Sequence, residues 1–353
     1  MYNCKSVQGR QILSYAIAAS VAVFTLSADA ANTEDSININ SKNLKDVKND
    51  YQRPESIPFP EDNPHSAAKE KLGHMLFFDP RVSGSDWISC ATCHNPALGW
   101  EDGLETGRGH GMTRLGRHTP TILNLAWGEL YFWDGRAASL EEQALGPIQA
   151  GVEMNQPLDE LVAQLEGIAG YPPLFDDAFG SQEITETRIS KAIATFERTV
   201  VSGEAPFDRW IAGESDAIGA AAKRGFVLFN DKANCAACHS GWRFTDDSFH
   251  DIGLPDDDLG RGKIIPGVKV LEHAFKTPTL REIDRRAPYM HDGSIATLRG
   301  VVDHYAEGFV ERESLSSEIE PLDLNARERA DLVAFLRTLS GIPEPVVVPT
   351  LPQ

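Results

Sequence analysis

Two pentapeptides constrain this chain more than anything else in it: Cys90-Ala91-Thr92-Cys93-His94 and Cys235-Ala236-Ala237-Cys238-His239. The CxxCH spacing has a mechanical basis. Cysteines one helical turn apart both reach the vinyl groups of a single haem, and the histidine that follows turns onto the iron. A zinc site would need two more cysteine or histidine ligands at each motif. The duplication therefore implies two covalently bound haem c groups, with His94 and His239 as proximal ligands. The chain has five cysteines. Cys4 precedes the signatures and the other four lie within them, so no disulfide framework remains to be built.

The repeat extends beyond the signatures. Ala67-Ala68-Lys69 through Leu76-Phe77-Phe78-Asp79 leads into the first CxxCH, and Ala221-Ala222-Lys223 through Leu228-Phe229-Asn230-Asp231 leads into the second. Downstream, Thr119-Pro120-Thr121, Asp134-Gly135 and Leu140 recur as Thr277-Pro278-Thr279, Asp292-Gly293 and Leu298, each at an offset of 158 residues. A fixed offset across several motifs marks two homologous units. Each half closes on an apolar stripe at helical spacing. The first is Ile189, Ile193, Phe196 and Val200 before Gly203, and the second is Leu332, Phe335, Leu336 and Leu339 before Gly341. The expected fold is all-α: two tandem class I cytochrome c-like domains with one covalent haem each, over residues 54–203 and 214–345. The boundary falls between Val201 and Gly213, where Gly, Pro and Ser interrupt the pattern.

The first thirty residues read as a secretion signal, with Lys5 and Arg10, an apolar run from Ile12 to Leu26, and cleavage near Ala30 after Ala28-Asp29. The run is short for a membrane span and holds Ser14, Tyr15 and Ser20, so no span is expected after cleavage. Residues 31–53 are polar and read as a flexible leader. The expected location is the periplasm. A net charge of −19 argues against nucleic acid and anionic membrane as partners, since both need basic patches.

Beyond these readings, the residues resemble a known family. The order of the CxxCH motifs, Phe132-Trp133-Asp134-Gly135-Arg136, Leu140-Glu141-Glu142-Gln143-Ala144, Val152-Glu153-Met154 and Ala287-Pro288-Tyr289-Met290-His291-Asp292-Gly293 is similar to that of the bacterial diheme cytochrome c peroxidase and MauG family. The resemblance spans Pro58 to Gly341. It implies that hydrogen peroxide reacts at the haem on His94. Glu153 would move the proton, Gln143 would hold the peroxide, and Trp133 would relay electrons between the haems. It also implies a distal ligand on the second haem, methionine in ordinary diheme peroxidases and tyrosine in MauG. Tyr305 stands at that position, with His304 beside it as a competitor. His110 matches the loop histidine that caps the first haem in peroxidases and is missing from MauG. The family often carries calcium between its halves, bound by an asparagine and by carbonyls near Ala-Pro-Tyr. Here His118 takes the asparagine position, a poor ligand for a hard cation, leaving the carbonyls of Arg286 and Pro288.

The leading function is a peroxide-dependent oxidoreductase. Its electrons come from a small c-type cytochrome, a copper protein, or aromatic residues of a protein substrate. Tyr305 favours the protein substrate, and His110 favours the cytochrome. The alternatives are a non-catalytic diheme electron-transfer cytochrome and a haem-based sensory module, both disfavoured by Glu153 and Gln143.

Overall fold

A computed structural model describes residues 44–342 and 345–353, so the secretion signal and most of the leader lie outside the described residues. In chain order the helices are α1 (Leu44–Asn49), α2 (Ala67–Phe78), α3 (Cys90–Cys93), α4 (Leu140–Gln149), α5 (Leu158–Glu166), α6 (Tyr171–Phe179), α7 (Glu186–Thr199), α8 (Pro206–Ile211), α9 (Ala220–Asn230), α10 (Leu298–Asp303) and α11 (Ala326–Arg337). The strands among the described residues are Phe249–His250 and Phe275–Lys276, paired antiparallel. No helix among the described residues is long and apolar enough to cross a membrane.

The two stripes read from the sequence form α7 and α11, and local signals start both helices. The Thr185 side chain accepts from the Arg188 amide at the head of α7. At the head of α11, Asn325 accepts from the Glu328 amide while Glu328 accepts from that of Asn325. Helix α7 packs on α2, and α11 packs on α9. Glycine sets both crossings. A Cβ on Gly73 of α2 would fall on the Ala192 carbonyl, and one on Gly225 of α9 would fall on that of Asp331. The backbones touch there, so the repeat is preserved as a contact as well as a sequence.

It is preserved in backbone conformation too. Asn124, Phe132 and Gly135 have φ of 62°, 67° and 65°, and Glu282, Met290 and Gly293, each 158 residues on, have 59°, 76° and 68°. A non-glycine residue at positive φ costs on the order of 1 kcal/mol, so matched pairs mark positions that the shared fold overrides. The Tyr131 hydroxyl donates to the Leu125 carbonyl at 3.2 Å, and its counterpart on Tyr289 donates to that of Ile283 at 3.1 Å.

Two segments differ from the sequence expectation. The described part of the leader carries structure: α1 forms, and Tyr51 is buried with its hydroxyl 2.8 Å from Asn230 Oδ1. Its ring meets Phe207, Phe226 and Phe244 of the second half. Polar composition concealed this because Val47 and Tyr51 suffice to anchor the segment in an aromatic cluster. The expected linker also carries structure: α8 buries Phe207 and Trp210 against Phe226, so the second core begins before residue 214. The C-terminal tail returns to the first half, where Arg81 donates to the Pro352 carbonyl at 2.8 Å and the Gly170 amide to that of Gln353 at 2.9 Å.

Candidate active site

Both CxxCH segments adopt the conformation that the spacing requires. Helix α3 is a single turn, capped where the Ser89 amide donates to Thr92 Oγ1 at 2.9 Å, and the second signature forms a 3-10 turn at Cys235–Ala237. In each, the histidine amide donates to the carbonyl of the first cysteine at 2.8 Å. Each imidazole is then anchored through Nδ1, His94 to the Trp100 carbonyl at 3.1 Å and His239 to the Phe244 carbonyl at 2.8 Å. A carbonyl only accepts, so Nδ1 carries the proton and Nε2 presents its lone pair. Desolvation lowers both histidine pKa values, keeping the imidazoles neutral as iron ligands must be. The anchoring carbonyls belong to Trp100 and Phe244, two aromatics at φ 63° and 56°. These residues fit haem c at both signatures.

A cavity of about 730 Å³ opens beside His94, walled by Cys90, Cys93, Gln143, Glu153 and Trp133. The Thr-Pro-Thr segments of both halves also line it, so the repeat brings its two copies to one wall. Gln143 sits on α4, whose start is fixed by the Ser139 side chain accepting from Glu142. Glu153 follows α4 in a turn closed by its own amide donating to the Ala150 carbonyl at 2.9 Å. Burial pushes the Glu153 carboxyl above its ordinary value, and the Arg136 guanidinium pulls it partly back. Trp133 is held at both ends: its indole N–H donates to the His118 carbonyl at 2.9 Å, and its own carbonyl accepts from the Lys276 amide at 2.8 Å. His291, its counterpart in the repeat, faces it with ring centroids 6.4 Å apart and stacks on Phe275 at 3.5 Å.

At the second signature, Tyr305 lies in a π-helical turn, His304–Gly308, continuing from α10. Such turns displace one residue from the helical register and are frequent at functional sites. Desolvation holds the Tyr305 phenol above its usual range, with smaller contributions from the neighbouring Cys235 and Cys238. His304 turns away, its Nε2 donating to the Ile252 carbonyl at 2.9 Å.

His110 is not brought onto the cavity wall. Its ring faces Asn155, with Nε2 3.5 Å from Asn155 Nδ2, and its amide donates to the Glu153 carbonyl at 2.7 Å. Calcium does not fit the residues present. His118 and Arg286 both point N–H donors at Glu101, where a cation site needs oxygen. One group of metal-ligand type does occur among the described residues, Cys238 with Asp246 and His250, but its cysteine belongs to the CxxCH signature.

The sequence reading missed Glu197. It lies on the cavity wall, buried, with Oε2 unpartnered, and desolvation pushes its carboxyl up to about 8. The signal was present: Glu197 stands four residues after Ile193, on the apolar face of α7.

Comparison with known proteins fits this geometry. A family profile described as Di-haem cytochrome c peroxidase matches residues 67–216, and one described as Cytochrome c matches residues 222–340. The chain is 54% identical to the Methylamine utilization protein MauG of Methylorubrum extorquens, over 94% of each chain. It is 36% identical to the Cytochrome c551 peroxidase of Nitrosomonas europaea, over 82% of this chain and 85% of that one. Among solved structures, a MauG-like protein associated with microbial copper homeostasis superposes with a TM-score of 0.76 at 33% identity, over 82% of this chain and 95% of that one.

Proposed function

This chain belongs to the di-haem cytochrome c peroxidase and MauG family, and from that premise we propose that it uses hydrogen peroxide to oxidise aromatic side chains of a partner protein. It is a diheme oxidoreductase built from two tandem cytochrome c-type domains, and the family implies haem c. Cys90 and Cys93 would hold one haem through thioether bonds with His94 on its iron, and Cys235, Cys238 and His239 would hold the other. When bound, the first haem supplies the iron at which the O–O bond of peroxide is reduced.

The protein's own groups do the rest. Reducing one peroxide to two waters consumes two electrons and two protons. Glu153 takes a proton from one peroxide oxygen and returns it to the departing one, a task suited to a carboxyl whose pKa burial has raised. Gln143 offers an amide N–H and a carbonyl across the cavity, which orients the peroxide. Trp133, clamped at indole and carbonyl, relays electrons between the halves. Tyr305 would hold the second iron through its phenol oxygen, and bound to ferric iron as the phenolate it would favour the oxidised states where a thioether would favour the reduced one.

One observation carries the choice of reductant. Tyr305 is close enough to Cys235 and Cys238 to interact with them electrostatically, while His304 donates to the Ile252 carbonyl, which supports Tyr305 over His304 as the ligand expected of MauG. His110 resting on Asn155 supports the same reading, because it leaves the first site uncapped. By likeness to its relative in Methylorubrum extorquens, we place this activity in methylamine utilization. The apolar run after Lys5 and Arg10 supports export to the periplasm. A small c-type cytochrome or copper protein as electron donor is the second reading, supported by likeness to the Nitrosomonas peroxidase. The test is to add one equivalent of peroxide, then offer a reduced c-type cytochrome or a precursor protein from methylamine utilization. New covalent modification of aromatic side chains in the precursor supports the proposal. Rapid cytochrome oxidation with the precursor unmodified overturns it.

A further inference from the structure

Glu101, His118 and Arg286 form a buried triad that joins the two halves beneath Trp133. Their exposures are 3%, 3% and 4%. Glu101 Oε2 lies 3.1 Å from His118 Nε2, and Glu101 Oε1 lies 2.9 Å from Arg286 Nη1. His118 Nδ1 lies 2.8 Å from the Leu104 carbonyl. Both ring nitrogens of His118 thus face oxygens, one a carbonyl and one a carboxylate, and neither oxygen has a proton to give. Both nitrogens must donate, which makes His118 an imidazolium. The raised pKa of His118, opposed by desolvation but driven by Glu101, agrees. The Arg286 stem is accommodated by Gly99, at φ 67°, where a Cβ would come within 2.7 Å of Arg286 Cγ.

We propose that His118 and Arg286 are a built-in replacement for an inter-half divalent cation: two fixed positive charges, neutralised in part by Glu101, that hold the halves in register and seat Trp133. The connection to Trp133 is direct. Its indole N–H donates to the carbonyl of His118, and the amide of His118 donates to the carbonyl of His291, the repeat counterpart of Trp133. On the far side, Arg286 also donates through Nη2 to the Thr279 carbonyl in the second half. A bound divalent ion brings charge 2+ and can be removed by a chelator. An imidazolium and a guanidinium bring the same charge and cannot. Lone removal of one partner leaves a buried charge uncompensated, the costly case for buried ion pairs. Glu101, His118 and Arg286 are thus positioning residues. The importance of seating Trp133 rests on the function proposed above, but the triad itself is read without peroxide.

The experiment uses the purified holoprotein. Elemental analysis after desalting is expected to find no stoichiometric calcium, and millimolar EGTA is expected to leave the haem absorption and the melting temperature unchanged. The double variant His118→Asn with Arg286→Thr leaves Glu101 with oxygen donors around it. It is expected to melt about 5 °C or more below the parent, and added calcium, but not magnesium, is expected to restore most of that loss. Calcium rescue is a response that loss of packing alone would not give. If the double variant fails to accumulate, the parent's metal content and EGTA response still decide. About one calcium per parent chain, with haem spectra that change when EGTA removes it, would overturn the proposal. So would a double variant that melts with the parent and ignores calcium.

Discussion

The His110 amide donates to the Glu153 carbonyl at 2.7 Å, so the glycine-rich loop rests on the backbone of the residue that carries the distal carboxyl. The imidazole of His110 nevertheless faces Asn155 and not the cavity. The fully oxidised protein is therefore expected to react with peroxide without prior one-electron reduction. His110→Gly is expected to leave that rate essentially unchanged, since the His110 side chain does not line the cavity. Stopped-flow absorption on the oxidised protein measures it. A lag abolished by the substitution would show that His110 caps the first haem.

Glu153→Gln keeps the shape of the side chain and removes its proton transfer. Both haems should remain bound while the reaction with peroxide slows by on the order of 10²-fold or more. Unchanged kinetics in the same stopped-flow measurement would assign the proton to another group.

Covalent attachment at both signatures is expected to give two haems per chain by quantitation on denatured protein. Cys235→Ala with Cys238→Ala should leave one, still detected by haem staining on a denaturing gel. A single haem in the parent, or two in the variant, would contradict the assignment.

Glu197 makes stability depend on pH. Its carboxyl is raised to about 8 by burial, so the folded state holds a proton that the unfolded chain releases near its ordinary value of 4.5. Protons bound then exceed those of the unfolded state between these limits, and stability falls as pH rises through that window, at up to about 1.4 kcal/mol per pH unit from this one group. Glu197→Gln should flatten the slope. Denaturant unfolding of the holoprotein at several pH values tests it, and an equal slope in both proteins would show that Glu197 is ionised in the fold.

Much of this molecule was legible in its sequence because the repeat is written twice. The CxxCH signatures, α7, α11 and the Thr-Pro-Thr segments on the cavity wall each rest on local spacing that the fold did not override. What escaped depends on distant partners. Tyr51 looked like part of a polar leader because its aromatic neighbours lie more than 150 residues away. Phe207 and Trp210 sat in a stretch broken by Gly and Pro, yet a six-residue helix there completes the second core. Glu101 carried no signal at all. Only the fold shows that His118 and Arg286 converge on it.

Tyr305 bears the central claim, and the ferric spectrum and midpoint potential of the second haem test it most directly. They should be compared in the parent, Tyr305→Met and Tyr305→Phe. An anionic phenolate ligand should give the parent a low potential, raised by the thioether in Tyr305→Met, with an altered ligand set in Tyr305→Phe. After one equivalent of peroxide, the parent should hold its oxidising equivalents longest and Tyr305→Met should behave as a cytochrome-fed peroxidase. Identical ferric spectra and potentials in all three proteins would mean that Tyr305 is not the ligand, and the case for oxidation of a partner protein would lose its structural basis.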